Sequence, residues 1–276
     1  MAREASGPGQ PVPAAAYTEE YYRSGCGGGE AFESGSGLTV SPVVEQAFDS
    51  FGVGPGRACL DLGCGRGEVT FNLAKRGASA IGIDYADSAL RLAQGMLERH
   101  PDIKSRVLLV KSDAKALPFP DASIDCAFVL DLVEHLQPWE LGQSLSELHR
   151  VMKPDGMVLV HTMPNLRYYR FAYPALRLIG RMQRHESPAE PRGPYEFDLH
   201  VNEQTPGSLR TAMRVAGFLV EMSVTGLEKS PLRPGLLDRF VRVLAKHGPL
   251  RSVLGFHILV TARPATSQLG PTPASR

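Results

Sequence analysis

Asp61, Gly63, Gly65 and Gly67 alternate with other residues in Asp-Leu-Gly-Cys-Gly-Arg-Gly, the stretch of this chain with the most chemical content. Glycine serves where a backbone turns tightly, or where a ligand must touch the chain with no Cβ in the way. A short apolar run, Ala58 to Leu62, leads into the loop, and Val69, Phe71, Leu73 and Ala74 follow it. The order reads strand, glycine turn, helix: the first unit of a doubly wound α/β fold. A dinucleotide fingerprint, G-x-G-x-x-G, would need its third glycine at position 68, where Glu68 stands. A carboxylate at the strand end, Asp61, suits a ligand that carries positive charge and would disfavour a pyrophosphate. Glu68 and Asp61 together therefore argue against a nicotinamide oxidoreductase on this architecture.

More acids recur at strand ends. Asp84, followed by Tyr85, closes a second predicted strand, Ala78 to Ile83. An acid about 20 residues beyond the glycine loop is where such folds hold a ribose, and a carboxylate can accept from both hydroxyls. Val107 to Val110 reads as a third strand, followed by Ser112-Asp113-Ala114. Leu117-Pro-Phe-Pro-Asp-Ala-Ser-Ile-Asp125 leads into a fourth, Cys126 to Leu130. Asp131-Leu-Val-Glu134-His135-Leu follows at the carboxyl edge, where ligands of open α/β sheets sit.

These segments, at 61–67, 84, 113 and 117–130, resemble the class I S-adenosylmethionine-dependent methyltransferases. The likeness is to the small-molecule type found in menaquinone and ubiquinone biosynthesis. It is specific over roughly residues 41 to 165 and looser over 205 to 262. The resemblance implies a Rossmann-like doubly wound, mostly parallel seven-stranded sheet, and S-adenosylmethionine as cofactor. It implies that Asp113 binds the adenine amino group and that the Ala114 N–H meets a ring nitrogen. The cofactor-binding set is then Asp61, Gly63, Cys64, Gly65, Gly67, Asp84, Tyr85, Asp113, Ala114, Leu130 and Asp131. No Asn/Asp-Pro-Pro-Tyr/Phe motif, typical of nucleobase or glutamine methylation, follows the fourth strand. That favours O-, N- or C-methylation of a small molecule, with specialised metabolism as a setting. Two alternatives are a lipid or quinone acceptor at a membrane surface, and a cofactor-binding protein without turnover. No metal is expected.

A base adds roughly 10²–10⁴-fold where an acceptor must lose a proton, and histidine titrates near neutrality. His135, just after the fourth strand, is the leading candidate, although Glu-His-Leu is also a structural turn in this family. His161 ends the fifth strand, and His200 lies in Asp198-Leu-His-Val-Asn.

The remaining elements position these groups. Ser41-Pro42 has the form of a helix start, a cap followed by proline at the first turn. Further helices are predicted from Ser88 to Arg99, from Trp139 to Met152, and from Thr205-Pro206 to a stop at Gly217. Pro154-Asp-Gly156 should turn the chain into the fifth strand, Met157 to His161. The last two strands should be Phe218 to Val224 and Phe256 to Ala262. Residues 1–40 read as a flexible segment and active-site flap, with Tyr21 and Tyr22 closing on the acceptor. The methyltransferase domain spans 41–263, and 264–276 is expected to be a disordered tail. Within the domain, 164–204 reads as a lid-like insert after the fifth strand. Its Tyr168 and Tyr169 would line the acceptor pocket, and its arginines, Arg167, Arg170, Arg177, Arg181 and Arg184, would stay wet or meet an acidic substrate. Leu236 to Leu250 is a basic amphipathic stretch that fits a connecting helix or a membrane surface.

Composition limits the partners. The net charge is +1, so no global field attracts nucleic acid. Four cysteines show no metal spacing, and two sit in predicted buried strands, which reads as reduced and intracellular. No apolar run approaches ~18 residues, so no transmembrane segment is expected. A cytoplasmic monomer or homodimer acting on a small-molecule acceptor, without nucleic acid, is the resulting expectation.

Overall fold

The computed structural model describes residues 9–27, 29, 32, 37–227 and 230–265. Expectations for 1–8, for parts of 28–36 and for the tail beyond Ala265 lie outside the described residues. The apolar runs form strands β1 (Ala58–Leu62), β2 (Ser79–Asp84), β3 (Val107–Lys111), β4 (Ile124–Leu130) and β5 (Met152–Thr162), with β6 (Phe218–Thr225) and β7 (His257–Pro264) after the insert. They make one seven-stranded sheet in the order β3-β2-β1-β4-β5-β7-β6, with β7 antiparallel to both its neighbours. β4 is buried along nearly its whole length, as a central strand covered on both faces must be. Strand order reverses between β1 and β4, and a crevice opens there at the carboxyl ends of the strands.

Helices α1 (Pro42–Ser50), α2 (Glu68–Lys75) and α3 (Asp87–Leu97) supply Phe48, Phe71 and Leu97 to a core cluster with Phe128 and Leu159. α1 starts as its sequence predicts, with the Ser41 side chain accepting from the Val44 N–H. Helix α4 (Pro138–Val151) brings Leu145 and Leu148 to a second cluster with Leu60, Leu62 and Val160. The turn expected at Pro154–Gly156 differs in form: β5 runs through it, and its register against β4 shifts between the Ile124/Met152 and Cys126/Met157 pairs.

The insert supplies a π-helical turn at Tyr168–Ala172, then α5 (Tyr173–Met182) and the short α6 (Pro194–Leu199). Beyond it lie α7 (Pro206–Val215), α8 (Leu236–His247) and α9 (Arg251–Leu254). Tyr168, Tyr169, Tyr173 and Leu176 pack with Val241, Ala245, Leu254 and Phe256 in a third cluster, so this half of the insert is core. At the other end of the chain, Tyr17, Tyr21 and Tyr22 pack with Ala86, Ala89, Leu92 and Leu199. The N-terminal segment thus folds over the crevice and meets the end of the insert, Tyr21 against Tyr195 at 5.4 Å.

Candidate active site

The crevice is a cavity of about 710 Å³, within the range of small-molecule sites. β1 and β2 place acids on its floor, and the N-terminal segment roofs it. The roof is tied down. Arg66 donates to the Tyr22 carbonyl at 2.6 Å and the Gly27 carbonyl at 2.8 Å, and its guanidinium pairs with Glu68 at 2.7 Å. Tyr85 donates its hydroxyl to the Val12 carbonyl at 2.9 Å, Trp139 donates its indole N–H to Gly9 at 2.7 Å, and Ser88 donates to the Tyr17 carbonyl.

The glycine loop separates into two jobs. Gly63 and Gly65 have positive φ, 80° and 51°, and both border the cavity. A Cβ on Gly65 would come within 3.5 Å of the Tyr22 ring, so the loop and its roof fit closely. Gly67 lies outside the cavity lining. Its φ is 91°, and a Cβ there would fall 2.6 Å from the Phe71 ring. The missing Cβ leaves room for the Phe71 ring of α2, one turn on.

Asp61 is 3 % exposed and accepts from both the N–H of Thr70, at 3.0 Å, and its hydroxyl, at 2.6 Å. Burial nevertheless pushes its carboxyl up to about 7. A buried acid facing a cavity in that state is suited to a cationic ligand, which would favour the charged form. Asp84 accepts from the Gly65 N–H at 3.0 Å through one oxygen and from the Ala86 N–H at 2.9 Å through the other. Each oxygen keeps a lone pair for a further donor. Burial raises this carboxyl too, against those backbone donors. Asp113 is bound by Lys115, through its backbone N–H at 2.9 Å and its ammonium at 2.8 Å; that ammonium also meets Glu140 at 2.6 Å.

Across the cavity, Asp131 meets Nδ1 of His161 at 2.7 Å, and Nε2 of His161 lies 3.0 Å from Nδ1 of His257. The two imidazoles are stacked, with centroids 5.1 Å apart. Asp131 occupies a left-handed backbone conformation, φ 52°, and donates its N–H to the His161 carbonyl at 3.0 Å. Its side chain is 52 % exposed, and the neighbouring His161 holds its carboxyl below the usual carboxylate range. All three side chains border the cavity.

His135 also borders the cavity, but only 8 % of it is exposed. Its ring meets Tyr17 at 5.5 Å and His200 at 4.9 Å, edge to face. Burial, then the neighbouring His200, push its imidazole down to about 3, and its Nδ1 has no hydrogen-bond partner among the described residues. Behind it, Glu134 accepts from the Thr162 hydroxyl at 2.8 Å, and burial raises its carboxyl to about 7. Glu134, His135 and His200 bring one possible ligand atom each within 4.8 Å of one another, a partial N/O donor set for a cation that the sequence had not suggested.

Of the residues singled out in the sequence, the cavity gathers Tyr21, Tyr22, Asp61, Gly63, Cys64, Gly65, Asp84, Tyr85, Asp113, Ala114, Leu130, Asp131, His135 and His161. It leaves out Gly67, His200, Tyr168 and Tyr169. His200 sits behind His135. Tyr168 is fully buried against Phe256, and Tyr169 lies under the Arg192 guanidinium at 4.4 Å, because α8 and α9 offer those rings an apolar seat away from the crevice. Sequence reading missed His257, Lys115 and Glu140. Lys115 was within reach, two residues after Asp113. His257 was not, since only the antiparallel pairing of β7 with β5 brings it beside His161.

A cleft bordered by Asp61, Asp84, Asp113 and Asp131 at the switch point of a seven-stranded sheet with one antiparallel strand is the ligand site of a doubly wound, Rossmann-like fold. The "Methyltransferase domain" family model matches residues 60–160. The ubiquinone biosynthesis O-methyltransferase of Paracidovorax citrulli is 31% identical over 197 residues, 70% of this chain and 76% of that protein. The protein of the same name from Pseudomonas entomophila is 30% identical over 179 residues, 64% of this chain and 70% of that one. Geranyl diphosphate C-methyltransferase from Streptomyces coelicolor shares the fold, with a TM-score of 0.61 at 15% identity over 94% of this chain and 100% of that one. The chain belongs to the class I S-adenosylmethionine-dependent methyltransferases. It is an enzyme of that class, and S-adenosylmethionine is its cofactor.

Proposed function

We propose that this enzyme methylates an oxygen or nitrogen of a small-molecule acceptor, with the His161–His257 pair taking the acceptor proton. The observation that carries the reading is the Asp131–His161–His257 chain on the wall of the same cavity as Asp61, Gly65 and Asp84. The cofactor supplies an electrophilic methyl group on a sulfonium. Asp84 holds the ribose hydroxyls, Asp113 the adenine amino group, and Asp61 adds a negative charge near the cationic end. Tyr17, Tyr21 and Tyr22 exclude water from above. Asp131 accepts from Nδ1–H of His161, and Nε2 of His161 accepts from Nδ1–H of His257, so a proton taken at the other nitrogen of His257 shifts the charge to His161, beside Asp131. Holding the partners in line supplies much of the rate, and the base adds to it.

Calorimetry tests the cofactor half. With Asp61 near 7 in the free enzyme and ionised beside bound cation, binding below that pH releases a proton. Affinity for S-adenosylmethionine should therefore rise as pH climbs from about 5 to about 7, then level off. Asp61→Asn should flatten that dependence. Asp84→Ala should weaken binding at every pH by about 1.5–3 kcal/mol, the scale of hydrogen bonds to a charged group. An Asp84→Ala enzyme with wild-type affinity would remove the ribose assignment.

A second reading, a lipid-borne acceptor met at a membrane surface, has its own observation. Leu236, Phe240 and Val243 of α8 are 85%, 59% and 57% exposed, and Leu178 and Met182 of α5 are 63% and 80% exposed. Arg239 and Lys246 share α8, and Arg177 and Arg181 share α5, the pattern of helices that lie in an interface. No described helix is long and apolar enough to cross a membrane. On this reading the enzyme co-floats with anionic vesicles, and Leu236→Ser with Phe240→Ser abolishes flotation. Unchanged flotation of that variant, or none by the wild type, removes the reading.

A further inference from the structure

A second cavity, of about 180 Å³, lies on the other side of β6 from the active site. Met222 and Val224 face it, whereas Thr225, of opposite parity on the strand, borders the active-site cavity. Three guanidinium groups from three separate elements border it: Arg167 at the start of the insert, Arg210 on α7 and Arg251 on α9. None of the three side chains has an ion-pair or hydrogen-bond partner among the described residues, and no acidic residue lines the cavity. Several arginines elsewhere in the domain contrast with them. Arg57, Arg66, Arg76, Arg150, Arg192 and Arg242 all meet carboxylates.

The arginines are held there by buried structure. Asn165, fully buried, donates to the Ser252 carbonyl at 3.0 Å and the Gly255 carbonyl at 2.9 Å, and its own carbonyl accepts from the Arg167 N–H at 3.1 Å. The next N–H, of Leu166, bonds the Gln204 carbonyl at 2.8 Å, just before α7. One side chain and its neighbour therefore tie the backbones that carry Arg167, Arg251 and Arg210. Arg167 lies over the first turn of α7, with Nη2 3.8 Å from where a Cβ on Gly207 would stand. Three like charges kept around one cavity without a counter-charge repel one another. A multivalent oxyanion would relieve that repulsion and take the forked donors in pairs. The volume suits such a group, since a water occupies about 30 Å³ of liquid.

We propose that Arg167, Arg210 and Arg251 form a phosphate-binding site, distinct from the methyl-transfer cavity, for a free phosphate, a phosphorylated metabolite or a phospholipid headgroup. Its occupant clasps the insert to α7 and α9. The site does not depend on which acceptor is methylated.

The test uses the full chain at constant ionic strength, with inorganic phosphate titrated against equivalent chloride. Phosphate should give saturable heat and raise Tm. The Arg167→Gln/Arg210→Gln/Arg251→Gln variant should bind phosphate at least tenfold more weakly, with cofactor affinity unchanged as the sign of an intact fold. Should the triple variant not fold, Arg251→Gln, an exposed position, should still weaken phosphate binding severalfold. A parallel arm uses phosphatidylcholine vesicles with and without phosphatidylglycerol. Arginine-dependent binding to the anionic vesicles with no response to free phosphate identifies a headgroup site. A response to phosphate that the variants retain in full, or no arginine-dependent response in either arm, overturns the proposal.

Discussion

Replacing His161 by glutamine should lower turnover by roughly 10²-fold or more while leaving cofactor and acceptor affinities within a few-fold. Glutamine keeps a hydrogen bond to Asp131 but cannot take up a proton. Wild-type activity should fall on the acid side of the pH profile, because a protonated imidazole cannot accept. Measured at saturating cofactor, so that Asp61 does not enter, that limb should disappear in the variant, because the proton-accepting unit that Asp131 orients is broken. His257→Gln should show the same pair of effects, because the two rings share one proton-accepting unit across 3.0 Å. Asp131→Asn should cost less, as it removes an orienting charge and not the base. His135→Gln is the discriminating control. An imidazole held near 3 is neutral throughout the working range and is a weak base. Its replacement should keep more than about a tenth of the rate, with an unchanged acid limb. If instead His135→Gln loses the acid limb and His161→Gln keeps it, the assignment passes to His135.

The contrast between these two histidines shows where the sequence was legible. The glycine loop, Asp84 and Asp113 were readable because each sits at the carboxyl end of a parallel strand. The position of a strand end follows from local apolar runs and the turn signals after them. All of them reach the cavity except Gly67, whose neighbour across the turn, the Phe71 ring, could not be inferred from the spacing. The seven strands, with their order of appearance, were legible for the same local reason. The base was not. His135 lies closest in sequence to the fourth-strand edge, yet its side chain turns under Tyr17 and against His200. His161 gains its partner because β7 runs antiparallel beside β5, a pairing of residues 96 apart. No local signal encodes that. The insert's role was not legible for a related reason: an aromatic, arginine-rich stretch has the composition of a pocket wall and of a small core alike. What decides is the apolar face that α8 and α9 present, 60 residues and more downstream.

Tyr168→Ala tests that last point. The ring is fully buried and meets Phe256 at 5.6 Å, Tyr169 at 5.8 Å and Tyr173 at 6.0 Å. Removing a buried aromatic side chain typically costs about 3–5 kcal/mol, from lost transfer energy and the cavity left behind. For a domain of this size that corresponds to a fall in Tm of roughly 6–20 °C. Well below the lowered Tm, cofactor affinity should match the wild type, because the tyrosine lies outside the cavity that Asp61 and Asp84 border. Acceptor KM should also change little. A movable lid would behave in the opposite way. Truncating an aromatic on its inner face would leave Tm nearly intact and raise KM, since the apolar contact would form only with acceptor present. Thermal unfolding and steady-state kinetics on one variant therefore separate the two readings. An unshifted Tm with a raised KM would return Tyr168 to the acceptor site. A lowered Tm with unchanged KM leaves the first half of the insert as the third core of the fold. Any closing motion would then fall to the N-terminal tyrosines and the segment that carries Tyr195.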